Sequence, residues 1–126
     1  MRQAFTIYGD PVGKPRQTQR DKWMKRPCVM RYRTWADKAR SSAPKDLLLE
    51  PMFVSVRAYI AIPKSLSKRR QAELKGEPHR SKPDGDNILK SVCDALFKRD
   101  EVIAEKRIVK FWDDGNSPRV IVEVFD

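Results

Sequence analysis

Two aspartates flank a single glycine in the run Lys82-Pro83-Asp84-Gly85-Asp86-Asn87-Ile88-Leu89-Lys90. Carboxylates so spaced suit a hard divalent cation such as Mg²⁺, which keeps several of its waters and needs few protein ligands. In extended backbone the pair would point to one side, and the N-terminus of a following helix would add partial positive charge toward a bound phosphate. Lys90 follows Asp86 by one helical turn, so its ammonium could reach that phosphate and stabilise developing charge. Phosphodiester hydrolysis needs a nucleophilic water, neutralised phosphoryl oxygens and help for the leaving oxygen, and a carboxylate-held Mg²⁺ serves these needs.

The same residues have a plainer explanation. Pro83-Asp84-Gly85 is a turn sequence and the next Asp a helix cap, and spacing alone leaves this as credible as a metal site. Asp86, Lys90 and Asp94 also stand at i, i+4 and i+8, an ion-pair ladder of the kind that stabilises a helix by only about 0.3–0.5 kcal/mol per pair. Two other phosphate or metal motifs fail on these residues. A calcium EF-hand loop beginning at Asp84 would have Leu89 where Gly belongs and Ala95 where Glu belongs. An aspartyl-phosphate phosphatase needs a buried apolar strand before its Asp, and His79-Arg80-Ser81-Lys82-Pro83 is none. A D-x-D nucleotide-sugar site stays formally open, although the chain has no recognisable nucleotide-binding βαβ unit and is short for one; no nucleotide cofactor is expected.

The setting of the motif favours a polyanionic partner. Lys and Arg number 27 against 17 Asp and Glu, a net charge of +10 over 126 residues, and such a field concentrates phosphate-rich molecules. The basic residues cluster. Lys14, Arg16, Arg20, Lys22, Lys25, Arg26, Arg31 and Arg33 face a single acid, Asp21, with Trp23 and Tyr32 interleaved, which suits phosphate contact and base stacking or, equally, a mobile solvated loop. Lys68, Arg69, Arg70 and Lys82 extend the candidate DNA-binding set. Cys28, Cys93 and the lone His79 cannot build a zinc ribbon or a disulfide framework, so thiol and zinc chemistry are not expected. No apolar run approaches the roughly 20 residues of a membrane span and residues 1–10 lack a secretory pattern. A cytoplasmic protein without membrane contact is the expectation.

The elements that must position these residues form one domain over 1–126. A short strand over 3–8, with Phe5 and Ile7 on one face, ends at Gly9-Asp10-Pro11. Trp35, Ala36, Ala39 and Ala43 mark an amphipathic helix from Tyr32 to about Ser42, stopped by Pro44, with Arg33, Lys38 and Arg40 outward. Strict alternation over 52–62 predicts a central strand, and 65–75 a basic helix with Leu66 and Leu74 inward and Gly76 as its stop. Asp86 or Asn87 caps a helix whose apolar face is Ile88, Leu89, Val92 and Leu96. Strands over 107–112 and 119–125 are joined by Asp113-Asp114-Gly115-Asn116-Ser117-Pro118, a hairpin signal. The order β, α, β, α, α, β, β predicts an α+β domain with helices packed on a mixed sheet.

The run 82–90 followed by Asp94-Ala95-Leu96 resembles the signature of RusA-type Holliday junction resolvases. The similarity continues less sharply through Arg99-Asp100-Glu101-Val102-Ile103 and Arg107-Ile108-Val109-Lys110, and weakly at residues 9–16. The resemblance implies a small homodimer, often prophage-encoded, that binds four-way DNA junctions and nicks them in pairs with Mg²⁺, Mn²⁺ being a substitute, in recombination and repair. By position it makes Asp84, Asp86 and Asp100 the metal-binding catalytic carboxylates and Lys90 the catalytic cation, while Asp94 matches a further acidic position. This chain departs from the pattern after the helix: Phe97-Lys98-Arg99-Asp100 is short and Arg99 stands where the family commonly places the first of two Asp residues. Glu101 is the local substitute should Asp100 not reach. A two-fold dimer meets the need for two symmetric cuts, with Val102, Ile103 and the shortened loop before them as candidate contributors to the interface. Two other readings stay open: a non-catalytic basic DNA-binding protein, and a nuclease of branched DNA without strict junction preference.

Overall fold

The computed structural model describes residues 1–15 and 26–126. Among the described residues, a four-stranded mixed sheet forms from β1 (Arg2–Tyr8), β2 (Phe53–Ile60), β3 (Glu105–Trp112) and β4 (Arg119–Phe125), in the order β1-β4-β2-β3. The helices are α1 (Pro27–Ser42), α2 (Lys68–Leu74) and α3 (Gly85–Leu96), and a 3₁₀ turn covers Asp100–Val102. The chain is therefore α+β, and the element order expected from sequence is present.

Alternation builds the core. Val54, Val56, Ala58 and Ile60 of β2 and Val120, Val122 and Val124 of β4 are buried together with Trp35, Ala36 and Ala39 of α1 and Ile88, Val92 and Leu96 of α3. The β-branched residues line one pleated face, where their restricted rotamers pack well, and α1 and α3 cover that face. The other face carries Phe53 against Phe125, with ring centroids 5.1 Å apart, and Tyr59 stacked on Phe111 at 5.4 Å.

The expected central strand lies at the centre, between β4 and β3. The expected hairpin does not form. β2 separates β3 from β4, pairing parallel with the first and antiparallel with the second. The turn itself is as its residues dictate: Asp113 and Asp114 side chains accept from the backbone N–H groups of Gly115 and Asn116, and Gly115 and Ser117 have φ of +96° and +80°. Asp113 N–H donates to the Ile60 carbonyl at 2.8 Å, so the turn crosses the end of β2 rather than joining neighbours. A turn sequence sets a change of direction, and the pairing is decided by which strands can share the buried valine rows.

The first helix starts at Pro27 rather than Tyr32. Proline at the first helical position costs nothing, since its missing N–H has no intrahelical partner there. Val29 extends the buried face by a turn. The second helix is shorter than the 65–75 expectation: Ser67 caps it, its side chain accepting from Arg70 N–H at 3.1 Å, and Leu66 and Leu74 are only half-buried.

Candidate nuclease site

Helix α3 is the platform. Ile88, Val92 and Leu96 are buried on one side, and Tyr32 of α1 ties to the helix, its hydroxyl donating to the Ser91 carbonyl at 3.4 Å. Asp84, not Asp86 or Asn87, is the N-cap residue, with extended backbone, and its side chain makes no capping bond. Gly85 is already helical. The aspartates are therefore not alternate residues of one extended segment, and they face different clefts: Asp84 lines one with Lys82, Pro83 and Asn87, while Asp86 lines another with Leu89, Lys90, Cys93, Asp100 and Lys106.

That second cleft, of about 290 Å³, brings Asp86, Lys90 and Asp100 together. Asp100 reaches it from the 3₁₀ turn across the short connection after α3. Glu101 does not line it; its exposed carboxylate pairs with Arg99 at 3.2 Å. The α3 ladder is absent. The side chains of Asp86 and Lys90 make no hydrogen bond or ion pair among the described residues, and Asp94 instead accepts from Lys14 Nζ at 2.5 Å. Asp86 and Lys90 thus stand exposed without the pairing that would explain them structurally.

Two lysines that the sequence reading passed over belong to this region. Lys106 lies opposite Val54 and Lys110 opposite Ala58, on the helix-facing side of β3 with Ile108 and Trp112. Lys106 Nζ sits 3.4 Å from Asp100 Oδ2. Lys110 Nζ donates to the Ser81 and Pro83 carbonyls at 2.7 and 2.8 Å, holding the loop that delivers Asp84. The signal was the register itself: lysines on the inward phase of an amphipathic strand need a local reason.

The same loop is fixed upstream. His79 N–H donates to the Lys110 carbonyl and Trp112 N–H to the Glu77 carbonyl, and the His79 ring lies 4.3 Å from that of Trp112. His79 is buried, its Nδ1 has no hydrogen-bond partner, and burial together with Lys110 lowers its pKa below the ordinary 6.5. The folded state then resists a proton that the unfolded chain accepts. Stability is full above about 6.5 and falls as pH drops from there through the folded value. Urea midpoints between pH 7.5 and 5 should show this loss, and His79→Gln should flatten it.

A metal requires donors and room. Asp86 and Asp100 supply hard carboxylate oxygens to one cleft, the chemistry that Mg²⁺ prefers. Among the described residues no three His, Cys, Asp or Glu side chains form a metal-ligand cluster, so Asp84 would have to turn from its own cleft to become a third ligand. Cys93 offers no competing chemistry, since burial pushes its thiol up to about 11 and it stays protonated at neutral pH.

The sequence of this fold decides its class, because the model of the RusA endodeoxyribonuclease family matches residues 9–125. The chain belongs to that family. A further relative is a protein of Bacillus subtilis (strain 168) described as "Uncharacterized protein YqaN", 32% identical over 134 residues that span 95% of this chain and 93% of the relative. As a RusA family member the chain is an endodeoxyribonuclease, and DNA is its partner. Among its described residues no helix is long and apolar enough to cross a membrane.

The expected DNA contacts distribute unevenly over this RusA chain. Arg31 and Arg33 are exposed on α1, Lys68, Arg69 and Arg70 on α2, and Lys82 beside Asp84; Arg26 is half-buried at the N-cap of α1. Arg69 and Arg70 also reach Glu73, but both are largely solvent-facing. Lys14 is engaged by Asp94. Arg16, Arg20, Lys22 and Lys25, with Trp23, lie outside the described residues. Of the interface candidates, Ile103 is buried in the core of this chain and offers no surface for one; Val102 is half-buried. Asp113 and Asp114 are accounted for by the turn, the Arg119 guanidinium holding Asp114 down to about 2.

Proposed function

We propose that this chain is a Mg²⁺-dependent crossover junction endodeoxyribonuclease, which resolves four-way DNA junctions as a homodimer by paired nicks in cytoplasmic recombination and repair. The observation that carries the reading is the meeting of Asp86, Lys90 and Asp100 in one cleft of a strongly basic chain. Asp86 and Asp100 would hold the cation with Asp84 as the third carboxylate, and Mn²⁺ would substitute for Mg²⁺. The ion, when bound, supplies neutralising charge for the phosphoryl oxygens.

The protein's own groups do the rest. Exposed arginines and lysines on α1, α2 and the loop before Asp84 bind backbone phosphates. Lys90 projects its ammonium into the cleft, where it stabilises charge gathering on the phosphate as a water attacks in line. The phosphorus–oxygen bond to the leaving strand breaks, and that oxygen takes up a proton; no covalent bond to the enzyme forms. Two sites related by a dimer axis match two symmetric strands.

Nicking of labelled four-way junctions, flaps, forks and linear duplexes under Mg²⁺ tests the selectivity. Preference for the four-way substrate supports junction resolution, and equal rates on forks and flaps favour a broader branched-DNA nuclease. Binding through many phosphates should also be steeply salt-dependent, weakening about tenfold or more between low and physiological salt. A flat response in equilibrium binding would remove the basic surface from the reading.

A further inference from the structure

Lys106 is the second residue of β3 and stands opposite Val54, a fully buried residue of β2. An aliphatic side chain there would continue the apolar row that Val124 and Val54 begin across the sheet. The lysine instead lines the cleft of Asp86, Leu89, Lys90, Cys93 and Asp100, where its Nζ lies 3.4 Å from Asp100 Oδ2. Among the described residues this is the one hydrogen bond or ion pair of the Asp100 carboxylate. The Lys14 ammonium also feels Asp100, but it is bonded to Asp94.

Fold stability does not account for the pair. With side chains 30% and 39% exposed, it belongs to the partly solvated ion pairs that contribute little. Nor does Asp100 need it for placement. The 3₁₀ turn is closed by Ile103 N–H donating to the Asp100 carbonyl at 3.1 Å, Ile103 is buried, and Ala104 and Glu105 N–H both donate to the Met52 carbonyl. What Lys106 changes is charge. Asp86 and Asp100 bring two negative charges to the cleft lining, and Lys90 and Lys106 bring two positive ones. The lysines are not equivalent, because Lys106 sits on a carboxylate oxygen that a bound cation would need.

We propose that Lys106 is the resident counter-ion of Asp100, competing with a divalent cation for the same carboxylate and so setting how weakly the free protein takes that cation up. The proposal rests on the nuclease reading for the cation, while the ion pair itself stands on geometry. An ammonium that has moved off the oxygen still lies within a few ångströms of whatever replaces it. That is inside the screening length of about 8 Å at physiological salt, so the repulsion persists.

The test measures Mn²⁺ uptake by the metal-stripped full chain, without DNA, from the loss of the paramagnetic resonance signal of free Mn²⁺. Lys106→Met and Lys106→Gln should each bind Mn²⁺ about tenfold more tightly than wild type, as expected when one positive charge is removed from beside a divalent ion, while Lys106→Arg should stay within about twofold. Lys64→Met serves as the charge control, since Lys64 follows the far end of β2 and lines a separate cleft with Ala61 and Asp113; it should bind as wild type does. Unchanged or weaker binding in both neutral variants at position 106, or an equal gain in Lys64→Met, would overturn the proposal. Asp86→Asn and Asp100→Asn separate this from the functional reading. Uptake that needs both carboxylates but ignores Lys106 overturns the proposal alone, whereas uptake that neither Asn variant reduces removes the cleft as the metal site. No uptake by the wild type or by Lys106→Met would overturn both. Melting temperatures of all variants exclude unfolding as the cause of any loss.

Discussion

Asp86→Asn is expected to reduce junction nicking by about 100-fold or more while junction binding persists, the loss being at least that seen when supports of a metal ligand are removed. The side chain is exposed, has no partner among the described residues, and opens on the cleft shared with Lys90 and Asp100. Asn keeps its size and much of its polarity, so packing is not disturbed. What disappears is one formal negative charge where a cation would need it. Loss of binding along with nicking would instead indicate that Asp86 shapes the DNA surface. Single-turnover rates and chelator-phase binding on the same preparation separate the two. Asp84→Asn run beside it asks whether the carboxylate in the neighbouring cleft joins the site.

Ile88→Ala is the largest expected loss of stability, about 2–5 kcal/mol for a fully buried aliphatic side chain replaced in a close-packed core. Ile88 has no exposed surface, lies in the first turns of α3 between Asp86 and Lys90, and donates its N–H to the Asp84 carbonyl at 3.1 Å. Domains of this size carry only about 5–15 kcal/mol in total, so the substitution removes a large share. A lower urea midpoint with an unchanged slope is the expected result. A small shift would mean that α3 contributes less to the core than its burial indicates, and that the site is carried by other elements.

Much of this was legible in the sequence because one-dimensional periodicity is tied to a physical face. The alternation of Val54, Val56 and Ala58 gave the central strand, and Ile88, Val92 and Leu96 gave the platform helix. The motif and its continuation to Asp100 indicated a family. What remained hidden depended on partners distant in the chain. The turn at 113–118 could be read, but not that β2 would come between the strands it joins. The i, i+4 spacing of Lys90 and Asp94 suggested a ladder, whereas the carboxylate is taken by Lys14, 80 positions away in sequence. Nothing in the sequence ties Lys106 or Lys110 to the motif; only the register of β3 puts both on its inner phase. Pro27, suited to a first helical position, carries α1 beyond the apolar pattern that begins at Tyr32.

The most direct test of the central claim is a four-way junction labelled on opposing strands, incubated with the wild-type protein and Mg²⁺ or with chelator. The account predicts symmetric nicks on both strands, present with Mg²⁺ or Mn²⁺ and absent with chelator. Stable junction binding with no nick on either strand under any divalent ion would contradict it.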